Sequence, residues 1–114
     1  MTKTELQTAI NKIAREYSVP SIRLAFTDRA GRGLACYTTF RYKVGGKIQP
    51  KNHPKNITIY SWSKIKDHPG QVAYEAGHEL AHHIQNTKKN SLAHSVTFCR
   101  LADDIGLKLS RMFK

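Results

Sequence analysis

The most informative stretch of the chain is Gly77-His78-Glu79-Leu80-Ala81-His82-His83, which contains a complete H-E-x-x-H pattern between His78 and His82. Residues four positions apart in an α-helix lie on one side of it, so both histidines can bind a single metal ion. Imidazole is a common zinc ligand, and a glutamate beside the ion can accept a proton from water. The pattern therefore predicts a Zn²⁺ site with His78 and His82 as ligands and Glu79 as the catalytic base.

The residues around this motif predict an amphipathic helix over about 71–87. On a helical wheel of ~100° per residue, His78, Glu79 and His82 fall within about 100° of one another. The apolar residues on the opposite side are Ala73, Ala76, Leu80 and Ile84. One face should therefore pack on a core while the other presents the metal-binding groups. His83 lies off the ligand face and is expected at the surface.

A catalytic zinc ion usually has three protein ligands and one position for water. No glutamate follows Glu79, and Gln85 and Lys88 stand where the longer H-E-x-x-H-x-x-G-x-x-H pattern needs glycine and histidine. The remaining downstream candidates are His94, Cys99, Asp103 and Asp104. His94 is the best of these, because a short turn after the motif helix would bring the next helix back beside it. The two aspartates are its main competitors.

Upstream of the motif, the sequence predicts a helix and then a small sheet. Thr4-Glu5-Leu6-Gln7 fits a capping box at the start of an amphipathic helix, which should end before Pro20. Strands are expected over 22–26, 34–44 and 57–62, mostly in antiparallel pairing.

Two glycine positions and the last segment complete the expected organisation. Gly45-Gly46 fits a tight hairpin turn within the sheet. A final helix should start near Ser91, with a break at Gly106. The fold class is therefore α+β, with an N-terminal helix, a small sheet, the motif helix and a C-terminal helix. A length of 114 residues predicts a single domain, 1–114.

The charge of the chain is strongly positive, with 19 Lys and Arg against 8 Asp and Glu, a net charge of +11. The segment from Arg29 to Lys66 contains no acidic residue. Its nine basic residues are Arg29, Arg32, Arg41, Lys43, Lys47, Lys51, Lys55, Lys64 and Lys66. Such a field attracts polyanions, so this region is expected to bind nucleic acid; the alternative interpretation is an ordinary solvated surface.

Location and cysteine use are also constrained by the sequence. No apolar run approaches the ~20 residues of a membrane span, and the polar start lacks the apolar core of a signal peptide. We therefore expect a cytoplasmic, nucleic-acid-associated protein without a membrane partner. Cys36 and Cys99 are far apart in the sequence and are expected to be small buried hydrophobic residues rather than a disulfide.

The chain resembles the SprT-like, Spartan-related zinc metallopeptidases. The specific likeness is the H-E-x-x-H helix followed by His94-Ser95-Val96-Thr97-Phe98, which is similar to the family's H-G-x-x-F pattern. Weaker likeness covers the glycine-containing segment 29–35 and the strand 57–59, and the whole comparison spans about Thr4 to Ile105. Ser95 stands where the family has glycine, and with two cysteines the chain lacks the family's zinc ribbon.

The resemblance implies a zincin-like minimal metallopeptidase core with zinc bound by His78, His82 and His94 and with Glu79 as the base. It also implies an endopeptidase that cleaves DNA-associated or DNA-crosslinked proteins. A peptide substrate is expected to pair along an edge strand, with 57–62 as the candidate, which would give loose sequence specificity. The alternative function is a non-catalytic, zinc-containing nucleic-acid-binding protein.

Overall fold

The computed structural model describes residues 1–31, 33–39, 43–44, 47–48, 55–89 and 93–113. The elements in chain order are α1 (Lys3–Glu16), β1 (Arg23–Phe26), β2 (Ala35–Thr39), β3 (Lys43–Val44), β4 (Lys47–Ile48), β5 (Lys55–Ile59), α2 (Trp62–Ile65), α3 (Pro69–Lys89) and α4 (Val96–Met112). The protein is therefore α+β, as the sequence predicts. None of the helices in these ranges is long and apolar enough to cross a membrane.

The main sheet has three strands in the order β1-β5-β2 within the described ranges, and β3 and β4 form a separate antiparallel pair. β1 runs parallel to β5, whereas β2 runs antiparallel to it. The central sheet is thus mixed, and only the β2–β5 pair within it has the expected antiparallel direction. Of the long strand predicted over 34–44, the described residues form β2 and β3, and 40–42 lie outside the described residues, as does the turn predicted at Gly45-Gly46.

Strand β5 is the centre of the sheet, so the expectation that 57–62 forms a substrate-binding edge was wrong. The strand also ends at Ile59, because Ser61 adopts a left-handed conformation with φ 53° and begins α2. β2 is the edge strand beside α3. The Tyr60 N–H donates to the Leu34 carbonyl, so residue 34 of this antiparallel pair faces β5 with its backbone polar groups. Since this orientation alternates from one residue to the next along a strand, the N–H and carbonyl of Tyr37 point away from β5.

Helix α1 has its cap two residues earlier than predicted. The Thr2 side chain accepts from the Glu5 N–H, and the Glu5 carboxylate accepts from the Thr2 N–H. The capping box is therefore Thr2 with Glu5, not Thr4 with Gln7. Gln7 instead uses its amide group to bind the backbone of Ile22 and Leu24, which attaches the helix to β1. The helix ends at Glu16, before Pro20, as expected.

Helices α3 and α4 pack closely, and two glycines make this contact possible. A Cβ atom added to Gly77 would lie 2.8 Å from the Cα of Gly106, closer than side chains tolerate. Helix α4 runs through Gly106 without the predicted break, because this glycine serves the helix contact. The helix starts at Val96, with Ser95 as its cap, rather than near Ser91.

One hydrophobic core lies between the sheet and the helices. The largest fully buried side chains are Leu6, Ile10, Ile13, Ile57, Ile59, Val72, Leu80, Phe98, Ile105 and Leu109. The apolar side predicted for the motif helix is confirmed, since Ala73, Ala76, Leu80 and Ile84 are all buried. The opposite side of α3 is therefore left to carry the polar groups of the motif.

Candidate metal centre

Three histidines meet where α3 passes the start of α4. His78 and His82 lie one turn apart on α3, and His94 lies two residues before α4. Each residue offers one ring nitrogen to the cluster, and these three atoms all lie within 4.8 Å of one another. The structure therefore brings together the three side chains that the sequence selected, close enough to bind one metal ion.

The local structure explains why His94 reaches the cluster. Ser95 has extended backbone geometry, and its hydroxyl accepts a hydrogen bond from the Phe98 N–H at 3.1 Å. A serine cap fixes the first residue of a helix, so His94 is held just outside α4 and free of helical geometry. Ser95, the departure from the family pattern, has a defined structural role here.

The spacing of the imidazoles suits a metal ion after a small adjustment. The Nε2 atoms of His82 and His94 are 2.9 Å apart. Two ligand nitrogens at tetrahedral zinc, each ~2.0–2.1 Å from the ion, lie about 3.3 Å apart. This pair needs to separate by only about 0.4 Å on this estimate, and a ring nitrogen of His78 lies within 4.8 Å of the other two, so the three donors are close enough to bind one ion once the rings adjust.

Phe98 forms the floor under the cluster. Its ring centroid lies 5.4 Å from that of His78, 4.4 Å from that of His82 and 5.0 Å from that of His94. The side chain is 1% exposed and belongs to the hydrophobic core. An apolar floor of this kind restricts the directions in which the imidazoles can turn.

The cluster is electrostatically prepared for a cation. Burial, followed by repulsion from His78 and His94, lowers the pKa of His82 from 6.5 to about 4. Burial and repulsion from His94 also lower the pKa of His78, against the opposing effect of Glu75. Both rings are therefore neutral near pH 7 and can offer lone pairs, as metal ligation requires.

One ring nitrogen of His82 supports the same interpretation. Its Nδ1 atom is buried and has no hydrogen-bond partner in the part of the chain that the structure describes. An unpartnered buried polar group costs ~1–3 kcal/mol, and such groups in native structures often mark functional sites. His82 is thus a poor structural residue and a suitable ligand.

The competing ligands lie outside the cluster. Asp103 accepts a hydrogen bond from the Tyr74 hydroxyl at 2.9 Å, and Cys99 and Asp104 are exposed on α4. No fourth His, Cys, Asp or Glu of the described ranges joins the three imidazoles. Three protein ligands with an open position are typical of catalytic zinc, whereas structural zinc usually has four.

Glu79 lies partly buried beside the histidines and is oriented by the sheet. Its Oε2 atom accepts a hydrogen bond from the Tyr37 N–H of β2 at 2.8 Å. Burial raises the pKa of Glu79 from 4.5 to about 7; the Tyr37 N–H opposes this rise and the Glu75 carboxylate adds to it. A carboxylate whose pKa lies near 7 is matched to proton transfer at neutral pH.

An open cleft of about 550 Å³ adjoins the cluster on the α4 side. His78 and His94 form part of its wall, together with Tyr74, Cys99 and Arg100. Two of the three candidate ligands therefore face space that an extended chain could enter.

Three sequence-based expectations about individual residues were wrong. His83 is buried, because Tyr37 and the Pro20 carbonyl contact its ring nitrogens and make burial of the imidazole tolerable. Cys36 and Cys99 are both free and exposed rather than buried. The presence of a cysteine does not show whether its side chain is buried or exposed, because that depends on what packs against its strand or helix.

Tyr37 is the site residue that sequence reasoning missed. It is 42 positions from Glu79, and its role depends on β2 lying across α3. No local pattern distinguishes it from the other tyrosines of the chain.

The basic region Arg29 to Lys66 is described only in part. The side chains of Arg29, Lys64 and Lys66 are exposed. Arg32, Arg41, Lys51 and the side chains of Lys43, Lys47 and Lys55 lie outside the described residues.

Comparisons with protein-family models, curated proteins and solved structures find no match to this chain. The resemblance to the SprT-like family therefore rests on the motif residues alone.

Proposed function

We propose that the protein is a zinc-dependent endopeptidase that cleaves DNA-associated or DNA-crosslinked proteins. The observation that carries the proposal is the cluster of His78, His82 and His94 beside the partly buried carboxylate of Glu79. The substrate class is supported by the family resemblance and by the net charge of +11. Zinc is preferred because three imidazoles with an open position are its usual catalytic ligand set.

The proposed mechanism assigns one role to each group. Zinc, when bound, supplies Lewis-acid polarisation of the attacked carbonyl and of water. Glu79 accepts a proton from water and then donates it to the leaving amine. His78 and His82 supply neutral donors for the ion, His94 supplies the third imidazole, and the Phe98 floor keeps the rings in place.

Substrate binding is assigned to the free edge of β2 rather than to β5. The polar backbone groups of Ala35 and Thr39 point away from β5, on either side of Tyr37, whose N–H is already bound to Glu79. An extended peptide can pair with such an edge through main-chain hydrogen bonds. Pairing of this kind recognises backbone, so the proposal includes loose sequence specificity.

The test combines metal analysis with proteolysis. Purified protein should contain about one zinc ion per chain and digest an unfolded protein such as casein, with DNA added and without it. Glu79→Gln should retain zinc and lower kcat at least ~1,000-fold, within the range of general acid–base catalysis. Glu75→Gln, one turn earlier on α3, is the matched control and should remain active. Activity of Glu79→Gln at the wild-type level would contradict the proposal.

A second function, a non-catalytic zinc protein that binds nucleic acid, is favoured by the charge alone. Phosphate contacts release counterions, so affinity for DNA should then fall steeply as salt is raised. A metal-loaded protein without proteolysis, but with this salt dependence, would favour the second function over the first.

A further inference from the structure

Tyr37 connects the edge strand β2 to α3 through contacts of its backbone N–H, its ring and its hydroxyl. Its N–H donates to the Glu79 carboxylate at 2.8 Å. Its ring lies parallel to the imidazole of His82, with centroids 6.5 Å apart and an interplanar angle of 7°. Its hydroxyl lies 3.4 Å from His83 Nδ1 and 3.3 Å from Asn86 Nδ2. One residue therefore contacts the base, one candidate ligand and the buried side of α3.

The hydrogen bonds around the hydroxyl have a defined direction. The Pro20 carbonyl can only accept, so His83 must donate to it from Nε2, across 2.8 Å. A neutral imidazole protonated at Nε2 has a lone pair at Nδ1, which can accept from the Tyr37 hydroxyl. The Asn86 amide then donates to the Tyr37 oxygen. The resulting chain runs from Asn86 through Tyr37 and His83 to Pro20.

This chain is well placed to hold β2 at a fixed height above α3. His83 is 3% exposed, so its contacts form away from competing water. Its far end is the backbone at Pro20, next to the buried Val19 and Ile22, which belong to the core. The Tyr37 hydroxyl is thus attached both to α3 and to the segment that follows α1.

We propose that Tyr37 is a positioning residue for Glu79. Its hydroxyl, bound by His83 and Asn86, fixes β2 against α3, and its N–H then orients the Glu79 carboxylate beside the three histidines. The N–H binds Oε2, which assigns the proton transfer to Oε1. The catalytic consequence rests on the proposed function, whereas the contact between strand and helix does not.

The variant that tests the proposal is Tyr37→Phe, which removes the hydroxyl but keeps the ring and the N–H. The variant loses the hydrogen bonds to His83 and Asn86. Since loss of even one neutral hydrogen bond corresponds to about a fivefold change, kcat should fall about fivefold or more. KM and zinc content should stay near wild type, while the melting temperature should fall modestly because the buried His83 ring loses a partner. Tyr60→Phe is the matched control, since its ring packs against Gly31 and no hydrogen bond joins its hydroxyl to the described residues. Loss of zinc equal to the loss of kcat would overturn the positioning role.

A second measurement is independent of activity. Hydrogen exchange of the amide at position 37 should speed up about fivefold in Tyr37→Phe, because the N–H rests on Glu79 rather than on β5. The same amide should be unchanged in Tyr60→Phe, and Asn86→Ala should move it in the same direction by less. Unchanged exchange at position 37 in Tyr37→Phe would overturn the proposal whatever the activity. An inactive wild type that shows the expected exchange would instead refute the peptidase function and leave the positioning role supported.

Discussion

Two adjacent histidines on opposite sides of α3 have contrasting environments. His82 faces α4, where one ring nitrogen lies 2.9 Å from another imidazole and the other is buried without a partner in the described structure. His83 faces β2 and the Pro20 segment, where a hydroxyl and a carbonyl contact its two ring nitrogens. Both residues belong to the same HELAHH stretch, and composition does not distinguish them.

The difference shows what separates a candidate ligand from a structural histidine. An imidazole whose nitrogens meet oxygen atoms is already satisfied, and its burial stabilises the fold. An imidazole whose nitrogens meet only other imidazoles is left with unsatisfied donors or acceptors, which a cation can use. The α4 side of α3 is therefore organised for binding and the β2 side for support.

The largest expected effect separates these two histidines directly. His82→Ala should weaken zinc binding by more than ~100-fold, beyond the effect of losing a group that only supports a ligand. His83→Ala should keep zinc but lower the free energy of unfolding by about 2–4 kcal/mol, since it leaves a cavity and two unpaired polar groups. Calorimetric zinc titration and urea denaturation of the metal-free proteins measure the two quantities.

Exposed His68 provides the control, because His68→Ala should change neither quantity. Equal loss of zinc in His82→Ala and His83→Ala would mean that the two sides of α3 do not have separate roles.

The second prediction concerns Glu79, which lies between the two sides. Its pKa is raised from 4.5 in the unfolded chain to about 7 in the fold. The folded state therefore holds the proton more tightly, and this contribution to stability, complete below pH 4.5, is lost as the pH rises through 7. Glu79→Gln removes the effect. The difference in unfolding free energy between variant and wild type should shift by up to about 3 kcal/mol in the variant's favour from pH 4.5 to 8.

Urea denaturation with a chelator present measures this shift. The histidine cluster titrates in the same pH range but is present in both proteins, so its contribution cancels in the difference. A difference that does not vary with pH would show that the Glu79 carboxyl is not held in a partly desolvated position.

The smallest expected effect comes from a substitution at the contact between α3 and α4, away from Tyr37. Gly77→Ala would place a Cβ 2.8 Å from the Gly106 backbone, so α4 must move away from α3. The strain should outweigh the ~1 kcal/mol that alanine gains over glycine in a helix, for a net loss of about 1–2 kcal/mol. Zinc affinity should fall as well, because His94 moves with α4. Gly33→Ala, with no atom within 4 Å of the added carbon, is the control and should be neutral.

Features that depend on short-range periodicity could be predicted from the sequence. The four-residue spacing placed His78 and His82 on one face of a helix, and the apolar residues around them identified the opposite, buried face. The short connection after that helix was enough to select His94 over the aspartates of α4. In each case the decisive interaction lies within one helix or across one turn.

Features that depend on long-range packing could not be predicted. Burial of His83 requires a carbonyl 63 positions earlier in the chain, and the position of Glu79 requires an N–H from β2. The order β1-β5-β2, which makes β2 the edge, follows from how the sheet packs on the helices and not from strand propensity. Gly106 was predicted to break its helix, because glycine lowers helix propensity. The close approach of Gly77 explains instead why a glycine occupies this position.

The short sequence distance between His82 and His94 has a consequence for folding. Twelve positions separate them in the chain, yet their Nε2 atoms almost touch. An ion shared by the two would act as a cross-link that closes this small loop, and a cross-link reduces the conformational freedom of the denatured chain. Metal supply would then govern how long the polypeptide survives, because a loaded molecule would open more rarely to attack by proteases.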